Sequence, residues 1–80
     1  MAPARGVPVN GAAVRAIREA LGIKLSTLAT DTLLSTGYLS NVEHGKKPRV
    51  SPEVRRRLAD RLQCTVDAIA YTGADQDIAS

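Results

Sequence analysis

Seven of the eleven lysines and arginines lie in one stretch of the chain. From His44 to Arg61 stand Lys46, Lys47, Arg49, Arg55, Arg56, Arg57 and Arg61, faced only by Glu53 and Asp60. Cations at that density on a small domain suit a polyanionic partner. The alternative is a helix face kept in water by its charge. Arg55, Arg56 and Arg57 are spaced about 100° apart around a helix, so the three cannot all meet one partner. His44 is the only histidine and Cys64 the only cysteine. Cys64 is distant from His44 in sequence and stands at a helix end, where a thiol packs more often than it reacts. No spacing pairs a carboxylate with a second acid or base, or a hydroxyl with a base. There is no metal-ligand pattern, no phosphate-binding loop and no GxGxxG. Neither catalysis nor a cofactor or metal is expected.

Eighty residues make a single domain. A chain of this length buries roughly 60–65% of its unfolded surface, so its core is small. With 44% hydrophobic and 24% charged residues the composition is globular and not that of a disordered chain. Trp and Phe are absent and Tyr occurs twice, so Leu, Ile, Val and Ala must fill the core. That favours packed helices over a sheet. One Cys excludes an internal disulfide and suits a reducing compartment. No apolar run reaches the roughly 20 residues of a membrane span. Met1–Asn10 has no apolar stretch of signal-peptide type, and a whole cytosolic chain is expected. The net charge of +3 understates the basic part, because Asp75 and Asp77 lie in a tail without bases.

Five short helices are predicted around the basic stretch. Residues 1–9 carry Pro3, Gly6 and Pro8 and read as a flexible, irregular arm. Asn10 caps a helix whose apolar face is Ala13, Val14, Ile17 and Leu21, and Gly22 closes it. A second pattern runs from Lys24 to about Asp31 through Leu25, Leu28 and Ala29. Ser35 caps a third helix, Thr36 to Glu43, with Leu39 and Val42 inward and Gly45 closing it. Lys46 to Arg49 is a basic loop. Ser51, Pro52 and Glu53 form a strong helix start, and Val54, Leu58 and Leu62 follow at i, i+4 and i+8. Thr65 caps a last helix through Val66, Ile69 and Ala70. Residues 72–80 are a flexible acidic tail. The domain is therefore expected over residues 10–71, all-α, with no strand signal.

Gly22 to Gly45 reads GIKLSTLATDTLLSTGYLSNVEHG. It resembles the helix-turn-helix of the Cro and phage-repressor class, also called the xenobiotic-response-element class. Gly22 precedes the motif, and Leu28-Ala29 sits in its first helix with a small residue where the two helices cross. Ser35 caps the second helix, Tyr38-Leu39-Ser40 lies within it, and Val42-Glu43-His44-Gly45 matches its closing stretch. The likeness continues through Ser51-Pro52 to Leu62 and through Thr65-Val66-Asp67 with Ile69. It covers roughly Asn10 to Ala70. Two positions depart from the pattern. Leu33 stands where the turn commonly has Gly, so the backbone there must avoid the left-handed conformation or be strained in it. Leu25 stands where Gln commonly anchors a phosphate.

The resemblance implies a compact five-helix domain whose second motif helix enters the major groove. Its base-contacting positions fall on Thr36, Gly37 and Asn41. Asn41 can pair bidentately with adenine, and Thr36 can hydrogen-bond or touch a thymine methyl. Gly37 offers no side chain but allows close approach. Phosphate contacts are expected from Ser35, Tyr38, His44, Lys46, Lys47 and Arg49, which fix register without reading sequence. Tyr38 could equally be a core aromatic, and each cation could be a solvated side chain. Arg5, in the arm, could reach a minor groove. Arg18 and Glu43 correspond to a partly buried ion pair between the first and third helices. Val66, Ile69, Ala70 and Tyr71 form a candidate dimer face.

The function implied is a sequence-specific regulator of transcription on double-stranded DNA: a repressor, acting as a homodimer on an inverted repeat. Such a protein belongs in the cytoplasm, on the nucleoid of a bacterial or phage-infected cell. Two other readings share the fold. An antitoxin or anti-repressor would bind chiefly a protein partner. A DNA-architectural or recombination-directing factor would bind DNA without transcription as its output.

Overall fold

The computed structural model describes residues 6–70. Its elements are β1 (Val7–Pro8), α1 (Gly11–Ala20), α2 (Leu25–Asp31), α3 (Thr36–Glu43), β2 (Arg49–Val50), α4 (Pro52–Arg61) and α5 (Val66–Ala70). Four of the five helices start at a capping side chain, and α2, after Lys24, starts without one. Asn10, Ser35 and Ser51 accept hydrogen bonds from the amides of Ala13, Tyr38 and Val54, satisfying donors that a helix start leaves open. Pro52 stands in the first turn of α4, where its missing N–H costs nothing.

Four helices end in the same double hydrogen bond. After α1 the amides of Gly22 and Ile23 return to the carbonyls of Glu19 and Arg18, and the pattern repeats after α2, α3 and α4. This Schellman closure needs one residue in the left-handed region. Gly22 and Gly45 supply it twice, whereas Leu33 and Gln63 adopt it at φ 64° and 58°. The turn of the motif is therefore left-handed at Leu33, with a branched, 76% exposed side chain there.

The core is aliphatic. Val9, Val14, Leu28, Leu39, Val42, Val50, Leu58, Leu62 and Ile69 are each at most 3% exposed, with Ala29 and Ala59 beside them. Each large member contributes about 1.5–3 kcal/mol on leaving water. α3 rests on α1 and α2, and α5 closes the other side against α1 and α4. Buried Thr32 fits because its hydroxyl turns back onto the Leu28 carbonyl at 2.7 Å. Gly11 marks the tightest approach: a Cβ there would meet the Val42 carbonyl oxygen at 1.8 Å, so α1 starts against the end of α3 only without a side chain.

The expected five-helix fold is present, and a two-stranded antiparallel ladder joins it, with Val7 paired to Val50 and Pro8 to Arg49. Residues 6–9 are accordingly not an irregular arm. Val9 is buried, and the Asn10 amide bonds the Ile69 carbonyl at 2.6 Å. The sequence hides this pairing because two-residue strands have no periodicity. Arg5, Tyr71 and the acidic tail lie outside the described residues.

Candidate nucleic-acid interface

α3 is an amphipathic two-turn helix held by its buried side. Leu39 and Val42 enter the core and Glu43 meets Arg18 of α1. The opposite arc carries Thr36, Gly37, Ser40, Asn41 and His44, spread over about 140° at 100° per residue. Thr36, Gly37 and Asn41 are exposed. Among the described residues, the side chains of Thr36 and Asn41 have no hydrogen-bond partner within the chain. Open space surrounds Gly37, where a Cβ would meet nothing within 4 Å.

The rest of the predicted set lies around that arc. The Ser35 hydroxyl oxygen accepts the Tyr38 amide at 3.0 Å as a cap. Tyr38 is half-buried, packs against the core and holds the Lys47 ammonium 5.4 Å from its ring centroid. Its ring thus lies partly in the core and partly at the surface. Lys46, Lys47 and Arg49 are exposed and pair with no carboxylate among the described residues. The Asn41 carbonyl accepts from the amides of Lys46 and Lys47, at 2.9 and 3.2 Å, so the loop hangs directly from the end of α3. Tyr38, Lys47, Arg49, Ser51 and Pro52 line one open cleft of about 310 Å³. Ser51 figured in the sequence only as a cap; its closeness to Arg49 was the available sign that it borders the basic loop.

His44 is constrained further. Its Nδ1 lies 2.8 Å from the Ser40 carbonyl, an acceptor only, so Nδ1 carries the proton. Neutral His44 then presents an acceptor nitrogen, Nε2, to solvent.

The basic stretch divides once folded. Arg57 pairs with Glu53 at 2.7 Å and Arg61 with Asp31 at 2.6 Å, while Arg55 donates to the Pro8 carbonyl at 3.0 Å. Arg56 stays exposed and without an ion pair. Within α1 Arg15 pairs with Glu19. Free positive charge is thereby concentrated in the loop after α3.

Arg18 makes a bidentate pair with Glu43, at 2.7 and 3.1 Å. The two side chains are 12% and 3% exposed. Hydrogen bonding to Glu43 holds the guanidinium above its ordinary pKa, against the lowering effect of burial, with the charges of Glu43 and Glu19 adding to the rise. Leu25, at the Gln position, is half-buried against the core, and Lys24 caps α2 without a side-chain hydrogen bond. Half-buried Cys64 packs on the core, and burial pushes its thiol pKa up. Ile69 is corrected: it is fully buried in the core and cannot form part of a dimer face. Val66 packs against the core and Ala70 is half-buried.

Two helices joined by a tight turn, the second presenting a polar arc beside unpaired cations, define a helix-turn-helix domain. The chain belongs to that family, whose model, described as a helix-turn-helix domain, matches residues 11–71. Among solved structures it is similar to two crystal structures of the clp gene regulator ClgR from Corynebacterium glutamicum, at 39% identity to each. The matches cover 72% of this chain and 75% and 62% of those chains, with TM-scores of 0.66 and 0.69. No curated protein matches. Among the described residues no helix is long and apolar enough to cross a membrane.

Proposed function

We propose that the chain is a transcriptional regulator that reads double-stranded DNA with α3. The observation that carries this reading is the juxtaposition on α3 of exposed Thr36, Gly37 and Asn41 with the unpaired cations Lys46, Lys47 and Arg49. In this reading α3 enters the major groove, Asn41 meets an adenine, Thr36 a neighbouring base, and Gly37 permits the approach. Ser35, Tyr38, His44, Lys46, Lys47 and Arg49 meet phosphates. The likeness to a gene regulator supports transcription as the output. The protein acts in the cytoplasm as a homodimeric repressor on an inverted repeat, its half-sites about one helical turn apart. Of the candidate dimer residues, Val66 and Ala70 remain available, with Tyr71 beyond the described residues.

In-vitro selection from a random duplex library at about 150 mM salt, where non-specific phosphate binding is suppressed, tests this directly. The wild type should enrich an inverted repeat, and Asn41→Ala should lose preference at one base of each half-site. Absence of enrichment from folded protein would overturn the reading and direct attention to a protein partner, as for an antitoxin or anti-repressor.

A further inference from the structure

We propose that β1 and Arg55 are positioning elements for the DNA-backbone contact: they hold the loop Lys46–Arg49 in register with α3 without touching DNA themselves. This inference rests on the reading of α3 and its loop as a DNA interface. The loop carries three exposed cations, which repel one another and pair with no acid among the described residues. Something else must hold it, because a charge-assisted contact to a phosphate oxygen is formed only within about 2.7–2.9 Å.

Its near end is tied to α3 by the two amides on the Asn41 carbonyl and by Lys47 over the Tyr38 ring. Its far end is tied by β1. The Val9 amide donates to the Pro48 carbonyl at 3.0 Å, and Val7 and Pro8 pair with Val50 and Arg49. β1 is itself pinned at three points. Val9 is 3% exposed in the core, the Asn10 amide bonds Ile69, and Arg55 Nη1 donates to the Pro8 carbonyl.

Arg55 shows what this clamp demands. Its Nε is buried and has no hydrogen-bond partner, a costly state for a guanidinium group. Neighbouring Arg56 stays in water on the same helix. Arg55 is therefore committed to the strand and is not a free cation of the surface. Gly6 completes the arrangement. At φ +85° its position would bring a Cβ within 2.7 Å of the Val50 carbonyl oxygen, so only glycine lets the chain lie this close to β2.

The test uses Gly6→Val, which removes no charge, and Arg55→Met and Arg55→Lys. Binding to the selected operator is measured from about 50 to 300 mM salt, with thermal melting and backbone amide order parameters of the free proteins. Gly6→Val should fold, weaken binding on the order of tenfold at 150 mM and flatten the salt slope by about two, the share of two lost phosphate contacts. Base preferences should be unchanged, and the amides of Lys46, Lys47 and Arg49 should become mobile. Arg55→Met should behave likewise, and Arg55→Lys, which keeps a donor for Pro8, should restore the wild-type slope.

A folded Gly6→Val with wild-type slope and a rigid loop would overturn the proposal. So would a slope lost in Arg55→Met but kept in Gly6→Val, since Arg55 would then meet a phosphate itself. If Gly6→Val does not fold, Arg55→Met decides by the same measurements, and an unfolded Arg55→Met would make Arg55 part of the scaffold and overturn it too. Failure of the wild type to bind any duplex would count against the DNA reading instead, while the amide order of the free variants would still decide whether β1 holds the loop.

Discussion

Arg18 grips Glu43 with two parallel hydrogen bonds, Nε to Oε2 at 2.7 Å and Nη2 to Oε1 at 3.1 Å, while its Nη1 donates to the Ile23 carbonyl at 2.9 Å. One guanidinium thus joins α1, the connection after it and α3. Removing one partner strands the other charge in a nearly dry site, at a cost of about 3–5 kcal/mol. Domains hold about 5–15 kcal/mol in total, and one this small lies toward the low end. Glu43→Ala should therefore melt far below the wild type and lose DNA binding through unfolding. Arg18→Met combined with Glu43→Leu should recover most of the midpoint. An unchanged midpoint in Glu43→Ala would contradict this account. A base whose folded pKa is raised stabilises the fold below its unfolded value and loses that contribution only as pH climbs through the folded one. On the Arg18 side the window lies far above neutrality, so this contribution should be constant from pH 6 to 9.

Gly37 separates stability from binding. A methyl group there meets nothing within 4 Å, and alanine is the better helix former by roughly 0.5–1 kcal/mol. Gly37→Ala should melt a few degrees higher. If the groove approaches α3 as proposed, the same methyl should weaken operator binding at least tenfold. A variant that gains stability and keeps its affinity would remove Gly37 from the interface.

Leu33 offers the converse. Its left-handed backbone costs a non-glycine residue about 1–2 kcal/mol, and at 76% exposure its side chain recovers little of that by burial. Allowing for the greater freedom of glycine in the unfolded chain, Leu33→Gly should gain roughly 0.5–1 kcal/mol. That corresponds to about 2–8 °C in the melting midpoint of a domain this size. A lower midpoint would mean that Leu33 makes a stabilising contact in solution.

Ile69 and Asn41 should separate cleanly. Ile69→Ala empties a fully buried site and should cost about 2–5 kcal/mol. Asn41→Ala, exposed and without a partner, should stay within about 0.5 kcal/mol of the wild type. Urea denaturation of both variants checks this. Loss of activity in Ile69→Ala would then report loss of fold and say nothing of a partner surface.

The local signals were readable in the chain because each is a short-range effect. Asn10, Ser35 and Ser51-Pro52 cap nearby amides, and Gly22 and Gly45 close helices a few residues away. Leu28, Leu39 and Leu58 reveal inward faces through their spacing. What stayed hidden depends on distant partners. Arg61 meets Asp31 thirty positions away and Arg55 meets Pro8 forty-seven away, so the free cations could not be picked from the arginine run. α5 is little longer than one turn, so the wheel could not tell that Ile69 points inward. The types and positions of Arg18 and Glu43 matched a familiar pattern, but the third hydrogen bond to Ile23 had no signature at all. For α3 the exposed arc was legible, whereas the seating of its following loop against β1 was not.

The hydrogen bond from the Asn10 amide to the Ile69 carbonyl has a consequence during synthesis. It ties the residue before the first helix to the last helix, whose isoleucine also fills the core. Protein chains emerge from the ribosome amino end first. The earliest helices of this domain must therefore wait, with their apolar faces uncovered, until residue 69 is free. A nascent chain stalled before that point holds the whole α3 sequence and still lacks the closure that completes its scaffold.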